Sequence, residues 1–173
     1  MQRIARFEKV SFEQFQEGYR SCMESGTSEE ISAIYDRICL PRRATRGSAG
    51  YDFFSPVSFS LEAGESIQIP TGVRVWMEQG WVLQCYPRSG LGFRFRLQLN
   101  NTVGIIDSDY YDSDNEGHIF VKLTNDSKEN RTVKVEAGQG FVQGIFVPFG
   151  ITVDDDAEAI RNGGFGSTTA QAE

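Results

Sequence analysis

An all-β sandwich, jelly roll or barrel is the fold class this sequence predicts, on three observations. From Leu40 onward short β-rich runs recur, each bounded by Gly, Pro, Asn or Asp, with no helical pattern between them. Ile119, Val121 and Leu123 alternate with Phe120, Lys122 and Thr124, as in a strand with two distinct faces. Gly is abundant, at 18 residues, as many tight turns between short strands require. A chain of 173 residues can bury a sizeable single core.

Residues 1–38 read differently, as a helical extension packed on the main domain. Ser11-Phe12-Glu13-Gln14 has the form of a capping box, and Phe12, Phe15 and Tyr19 make an apolar stripe. Gly18 weakens that helix and Gly26 falls in a break. Thr27-Ser28-Glu29-Glu30 offers a second cap, followed by Ile31, Ile34, Tyr35 and Ile38 at helical spacing. The β domain spans 39–156, with strands expected over 66–69, 73–77, 81–86, 93–99, 119–125, 132–135 and 141–147. Glu62-Ala63-Gly64-Glu65 and Glu136-Ala137-Gly138-Gln139 read as similar turns, each leading into a strand. Residues 157–173 form a Gly-rich arm after the acidic run at Asp154.

A net charge of −7 disfavours non-specific attraction to nucleic acid or to an anionic membrane, and neither is expected as a partner. Cys22, Cys39 and Cys85 are widely spaced, and a lone His118 leaves no zinc-binding pattern. Reduced thiols, an opening stretch without the apolar core of a signal peptide and the lack of a long apolar run lead to the expectation of a cytoplasmic protein.

The chemistry concentrates in residues 101–110. An apolar, β-branched run ends abruptly in Asp107, Asp109 and Tyr110, and Gly104 permits close approach to the backbone. Asp107 is therefore a candidate general base at a strand end, against the alternative of a polar turn. In the arm, Phe165 stands alone among glycines beside Arg161, Ser167 and Thr168. Backbone N–H groups, hydroxyls and a guanidinium suit a phosphorylated, ring-bearing ligand; a disordered terminus is the alternative.

Five islands, Ala49-Gly50-Tyr51-Asp52, Pro87-Arg88-Ser89-Gly90, residues 101–110, residues 138–146 with Gln143, and residues 161–168, resemble in order and spacing the five motifs of the trimeric dUTP diphosphatases (dUTPases). The resemblance covers roughly residues 40–169. It implies a jelly-roll-like β-sandwich, a homotrimer with shared active sites, and hydrolysis of dUTP to dUMP and pyrophosphate with Mg²⁺ held mainly by the substrate phosphates rather than by protein ligands. By the same resemblance Asp107 activates the water that strikes the α-phosphorus. Tyr110 packs under the deoxyribose, and Asn101 with the backbone of Gly104, Ile105 and Ile106 reads the uracil edge. Arg88, Ser89, Gly90 and Gln143 lie near phosphate, with Asp52 holding Arg88 or another site group. Phe165 stacks on uracil, Arg161, Ser167 and Thr168 bind the β- and γ-phosphates, and Gly166 completes the arm's binding residues.

The chain departs from the family pattern at three places. The tight turn after Asp109-Tyr110 is expanded to residues 111–117, Gly140 stands where an Arg or other bulky residue is common, and the gap from Arg161 to Phe165 is one residue short. Two rival readings share the scaffold. A dCTP deaminase would follow the Asp with a Pro-Gly pair, where this chain has Ser108-Asp109-Tyr110. A non-catalytic regulatory module would bind a protein partner through the extra loop or the N-terminal helices.

Overall fold

The computed structural model describes residues 2–23, 25–159 and 161. Its strands are β1 (Ala5–Lys9), β2 (Arg42–Arg43), β3 (Tyr51–Phe54), β4 (Phe59–Leu61), β5 (Ser66–Pro70), β6 (Val73–Met77), β7 (Trp81–Pro87), β8 (Leu97–Leu99), β9 (Gly104–Ile106), β10 (Phe120–Asn125), β11 (Val133–Val135) and β12 (Gly140–Pro148). The helices are α1 (Phe12–Cys22), α2 (Ser28–Asp36) and α3 (Ser89–Phe95), with a 3₁₀ turn at Ser108–Asp112. The strands form a β-sandwich of the jelly-roll kind. Its largest sheet has the order β2-β3-β12-β7-β9, and β5-β10-β8 makes a three-stranded sheet.

β10 follows its alternation: Val121 and Leu123 are buried, Lys122 is exposed, and the strand pairs with β5 and β8. The two like turns are present, with Gly64 and Gly138 at φ of +90° and +81°. In each, the last side chain accepts the first backbone N–H, from Glu62 to Glu65 at 2.7 Å and from Glu136 to Gln139 at 3.1 Å. β12 carries a bulge between Gly140 and Val142 against β3, so consecutive Phe141 and Val142 are both buried.

The expected strand over 93–99 is wrong in its first part. Phe93, Phe95, Leu97 and Leu99 alternate as a strand would, but Ser89–Phe95 is helical and only Leu97–Leu99 is extended. In the helix Leu91 and Phe95, four apart, pack on the core while Phe93 is 92% exposed. Arg96, left-handed at φ 50°, ends the helix and starts β8.

Both N-terminal helices form, and their apolar stripes join the common core, where Phe15 and Ile31 are fully buried. α2 has a closed capping box between Thr27 and Glu30. β1 lies ahead of them and pairs antiparallel with β6, Phe7 opposite Val75. Its charged residues Arg6, Glu8 and Lys9 left no apolar run to signal it.

α1 sits on His118, which is fully buried. A Cβ on Gly18 would come within 2.7 Å of His118 Cε1, so Gly18 is the contact that lets α1 approach. His118 Nε2 accepts the Gly72 N–H at 2.9 Å, and its Nδ1 has no partner among the described residues.

Two predictions follow from this contact. Gly18→Ala gains up to about 1 kcal/mol of helix propensity but overpacks His118 at about 1–3 kcal/mol. Net destabilisation is expected in urea unfolding, and a stabilised variant would contradict it. Burial lowers the His118 pKa to about 4, against the opposing pull of Glu116. The unfolded chain therefore binds a proton near pH 6.5 that the folded chain refuses until about pH 4. Stability is full above pH 6.5 and falls by about 3 kcal/mol as pH drops from 7 to 4. Urea midpoints unchanged between pH 7 and 5, above the range where carboxylates titrate, would contradict this.

Candidate active site

β8 and β9 follow one another, yet they do not pair. β8 joins β10 and β9 joins β7, so the two diverge from the turn at Asn100–Asn101. A cavity of about 290 Å³ opens between them, lined by Leu99, Asn101, Gly104 and Ile106 together with Cys85 and Lys122. It is at the small end for ligand pockets and suits a single ring system. Gly104 pairs with Cys85 in the sheet, and a Cβ there would lie 3.1 Å from Cys85 Cβ. Burial pushes the Cys85 thiol up to about 12, so it serves as wall rather than nucleophile.

Asp107 leaves β9 as the residue before the 3₁₀ turn, with its side chain 44% exposed. Arg161 grips it: the guanidinium donates to Asp107 Oδ2 at 2.5 Å and to Asp109 Oδ1 at 3.0 Å. The resemblance implies Arg161 on phosphates, whereas the structure places it on these two carboxylates, which a guanidinium fork suits equally well. Tyr110 is buried at 4% exposure, its hydroxyl donating to the His118 carbonyl and accepting from Asn115 Nδ2, both at 2.8 Å. Ile105 turns its side chain outward, while Gly104 and Ile106 face in.

The expanded loop 111–117 is closed by its own hydrogen bonds. Ser113 donates to the Tyr110 carbonyl at 2.6 Å, and Asn115 Oδ1 accepts from Ser113 and from the Gly117 N–H. Asn115 is a residue that sequence reasoning missed, since nothing local marks it as the partner of Tyr110.

A second cluster gathers where β7 ends. Arg88, Ser89, Gln143 and Ile145 line an open hollow of about 550 Å³ beside Tyr86 and Phe93. Arg88 pairs with Asp52 at 3.2 Å and donates to the Gly140 carbonyl at 3.3 Å. A Cβ on Gly140 would meet Arg88 Nη1 at 2.7 Å, and one on Gly50 would meet Gln143 Oε1 at 2.8 Å. Gly90 lies in the first turn of α3. A guanidinium, an amide and a hydroxyl around one hollow suit an oxyanion.

The two clusters do not meet within one chain. Cys85 lines the first cavity and Tyr86 the second, and neighbours on a strand point to opposite faces of its sheet. Ile106 pairs with Leu83, so Asp107 departs at the Val82 end of β7 while Arg88 follows the other end. That separates them by roughly 20 Å of strand. Among the described residues no three His, Cys, Asp or Glu side chains gather as a metal site, and no helix is long and apolar enough to cross a membrane. The expectations for Phe165, Gly166, Ser167 and Thr168 fall outside the described residues.

The dUTPase family profile matches residues 36–169. A deoxyuridine 5'-triphosphate nucleotidohydrolase of Lactococcus lactis is 43% identical over 136 residues, covering 77% of this chain and 89% of that protein. One from Haemophilus influenzae is 36% identical over 148 residues, covering 81% and 93%. The crystal structure of dUTPase from Streptococcus mutans superposes with a TM-score of 0.61 at 33% identity, over 84% of this chain and 97% of that one.

The Asp52–Arg88 pair lends itself to a direct test. Asp52→Ala releases the guanidinium, and pyrophosphate binding measured by calorimetry is expected to weaken about tenfold while stability changes by under about 1 kcal/mol. Undiminished binding would mean that Asp52 does not orient Arg88.

Proposed function

The chain belongs to the dUTPase family and hydrolyses dUTP, and on that premise we propose how its residues divide the work. Uracil enters the cavity between β8 and β9, where Asn101 and the backbone of Gly104, Ile105 and Ile106 pair with its edge. Cytosine presents a reversed edge and would leave buried polar groups unpaired, which discriminates strongly. Tyr110, held at its hydroxyl, backs the deoxyribose and leaves no room for a 2′-hydroxyl. Asp107 orients a water toward the α-phosphorus and takes its proton, so that dUMP and pyrophosphate leave. Exposure and position support this role, since geometry comes first for a general base.

Arg88, Ser89, Gly90 and Gln143 stabilise phosphate charge, the larger share of the rate in such chemistry. Mg²⁺ fits as an ion carried by the triphosphate. Asp107 and Asp109 are both paired with Arg161, and Mg²⁺ commonly keeps waters and phosphate oxygens as ligands. When bound it would offset the phosphate charge. Arg161, Phe165, Gly166, Ser167 and Thr168 would close over the bound nucleotide.

The observation that carries the assembly is the split of the site. Asn101 lines the cavity on one face of the sheet and Arg88 and Gln143 the hollow on the other, while Asp107 leaves at the end of β7 opposite to Arg88. A nucleotide needing both halves takes them from two chains, which supports a homotrimer with shared sites.

Asp107→Asn is expected to lower kcat by about 10²–10⁴-fold, with binding of an unhydrolysable dUTP analogue retained. Full turnover by this variant would remove Asp107 as base. Ammonia release from dCTP in place of pyrophosphate release from dUTP would favour the deaminase reading. Mixing Asp107→Asn with Arg88→Ala chains after co-refolding should restore activity that neither has alone. No recovery, or a monomer in light scattering, would contradict the shared site.

A further inference from the structure

The family match begins at residue 36, so β1 and α1 precede it. These two elements nevertheless hold the loop that follows Asp107 and Tyr110, at two points. At the first, Tyr111 donates its hydroxyl hydrogen to Glu8 Oε2 at 2.6 Å. Arg74 of β6 lies over the Tyr111 ring, 4.0 Å from its centroid, and donates to the same carboxylate at 3.2 Å. At the second, Ser11 gives Glu116 both its backbone N–H, at 2.8 Å to Oε2, and its hydroxyl, at 2.6 Å to Oε1.

The second contact has an unusual form. Ser11 is the N-cap of α1 and accepts the Gln14 N–H, as its sequence pattern predicts. In a closed capping box the side chain three residues on would return to the cap N–H. Here Glu116 takes that place from 105 residues along the chain. Glu116 does so from a left-handed backbone at φ 56°, a conformation disfavoured for a glutamate. The cap of α1 and the shape of the loop are therefore one structure.

We infer that the β1–α1 segment is a brace that sets the position of the Asp107–Tyr110 turn, with Glu8 and Tyr111 as positioning residues for hydrolysis. Tyr110 and Tyr111 are neighbours in one 3₁₀ turn, and Asp107 immediately precedes it. Tyr110 is anchored toward the core and Tyr111 toward Glu8, so the turn is fixed on two sides. Beyond it, Ser113, Asn115 and Gly117 close the loop, and the Glu116 N–H donates to the Ser113 carbonyl at 2.8 Å. A shift at either tie is passed to Asp107 with little slack, and a displacement of about 1 Å at a reacting group can cost about 10²-fold in rate.

The inference rests on Asp107 as the water-activating carboxylate, and the test separates the two. Tyr111→Phe removes one hydroxyl and keeps the ring under Arg74; kcat for dUTP should fall about tenfold while KM changes less than twofold. Glu8→Ala should match it, the double variant should be no worse than either alone, and Glu8→Gln, which keeps an acceptor, should recover most of kcat. Thr27→Ala, which uncaps α2 away from the loop, controls for lost stability and should lower the unfolding midpoint without lowering kcat. Ser11→Ala tests the second tie should a Glu8 variant fold poorly. Wild-type kcat in Tyr111→Phe, Glu8→Ala and Ser11→Ala overturns the brace, provided Asp107→Asn is inactive. An active Asp107→Asn overturns the catalytic reading itself.

Discussion

A phenolic hydroxyl taken out of water and left unpaired costs about 1–3 kcal/mol, and Tyr110 meets that demand with two partners close in sequence. Its hydroxyl donates to the His118 carbonyl and accepts from Asn115. Burial raises the phenol pKa, so the donor proton stays in place at neutral pH. The residues between are drawn into a closed turn that only glycine completes: Gly117 has φ +69°, and a Cβ there would lie 2.7 Å from the Tyr110 carbonyl oxygen. The turn ends by delivering His118 into the core. Its ring lies between α1 at Gly18 and the backbone of Gly72. One buried hydroxyl thus fixes the end of the 3₁₀ turn and the seat of the N-terminal helix together.

The period of the β-strand imposes the second constraint. Gln143 stands opposite Tyr86 in the sheet and Gly104 opposite Cys85. Adjacent positions on β7 therefore serve different cavities on different faces. No side-chain rotation can bring the groups together, because a one-residue change of face would reverse every core residue of the strand. This division between two faces is what the proposed assembly with shared sites answers, one copy supplying the cavity and another the hollow.

Legibility in the sequence followed the range of the interactions. Local patterns were readable: the alternation of Val121 and Leu123, the Gly64 and Gly138 turns, the caps at Ser11 and Thr27. Asp52, read from the resemblance as holding Arg88 or another site group, lies against Arg88. What was not legible depends on partners distant in the chain. β1 is a strand because β6 offers it an edge; the alternation of Ala5 and Phe7 with Arg6 and Glu8 is too short and too charged to announce it alone. Phe93 and Phe95 mimic a strand face, and only the burial of Leu91 and Phe95 together makes their segment helical. Glu116 caps a helix 105 residues away. Gly18 looked like a flaw in α1 and is instead the point of closest contact, since the histidine it accommodates lies in another element.

The departure at Gly140 belongs to the same logic. Family members commonly place a bulky residue there, which read alone suggests a missing side chain in the site. In the structure even a Cβ at 140 would press on the Arg88 guanidinium. Arg88 uses the vacant volume to lie against β12, donating to the Gly140 carbonyl while paired with Asp52 on β3. The guanidinium is thereby held from two neighbouring strands, and an arginine so restrained gives up less conformational freedom when a phosphate arrives. Gly50 performs the parallel service for Gln143. The hollow proposed to take the phosphates is thus shaped by what two glycines omit as much as by what Arg88 and Gln143 supply.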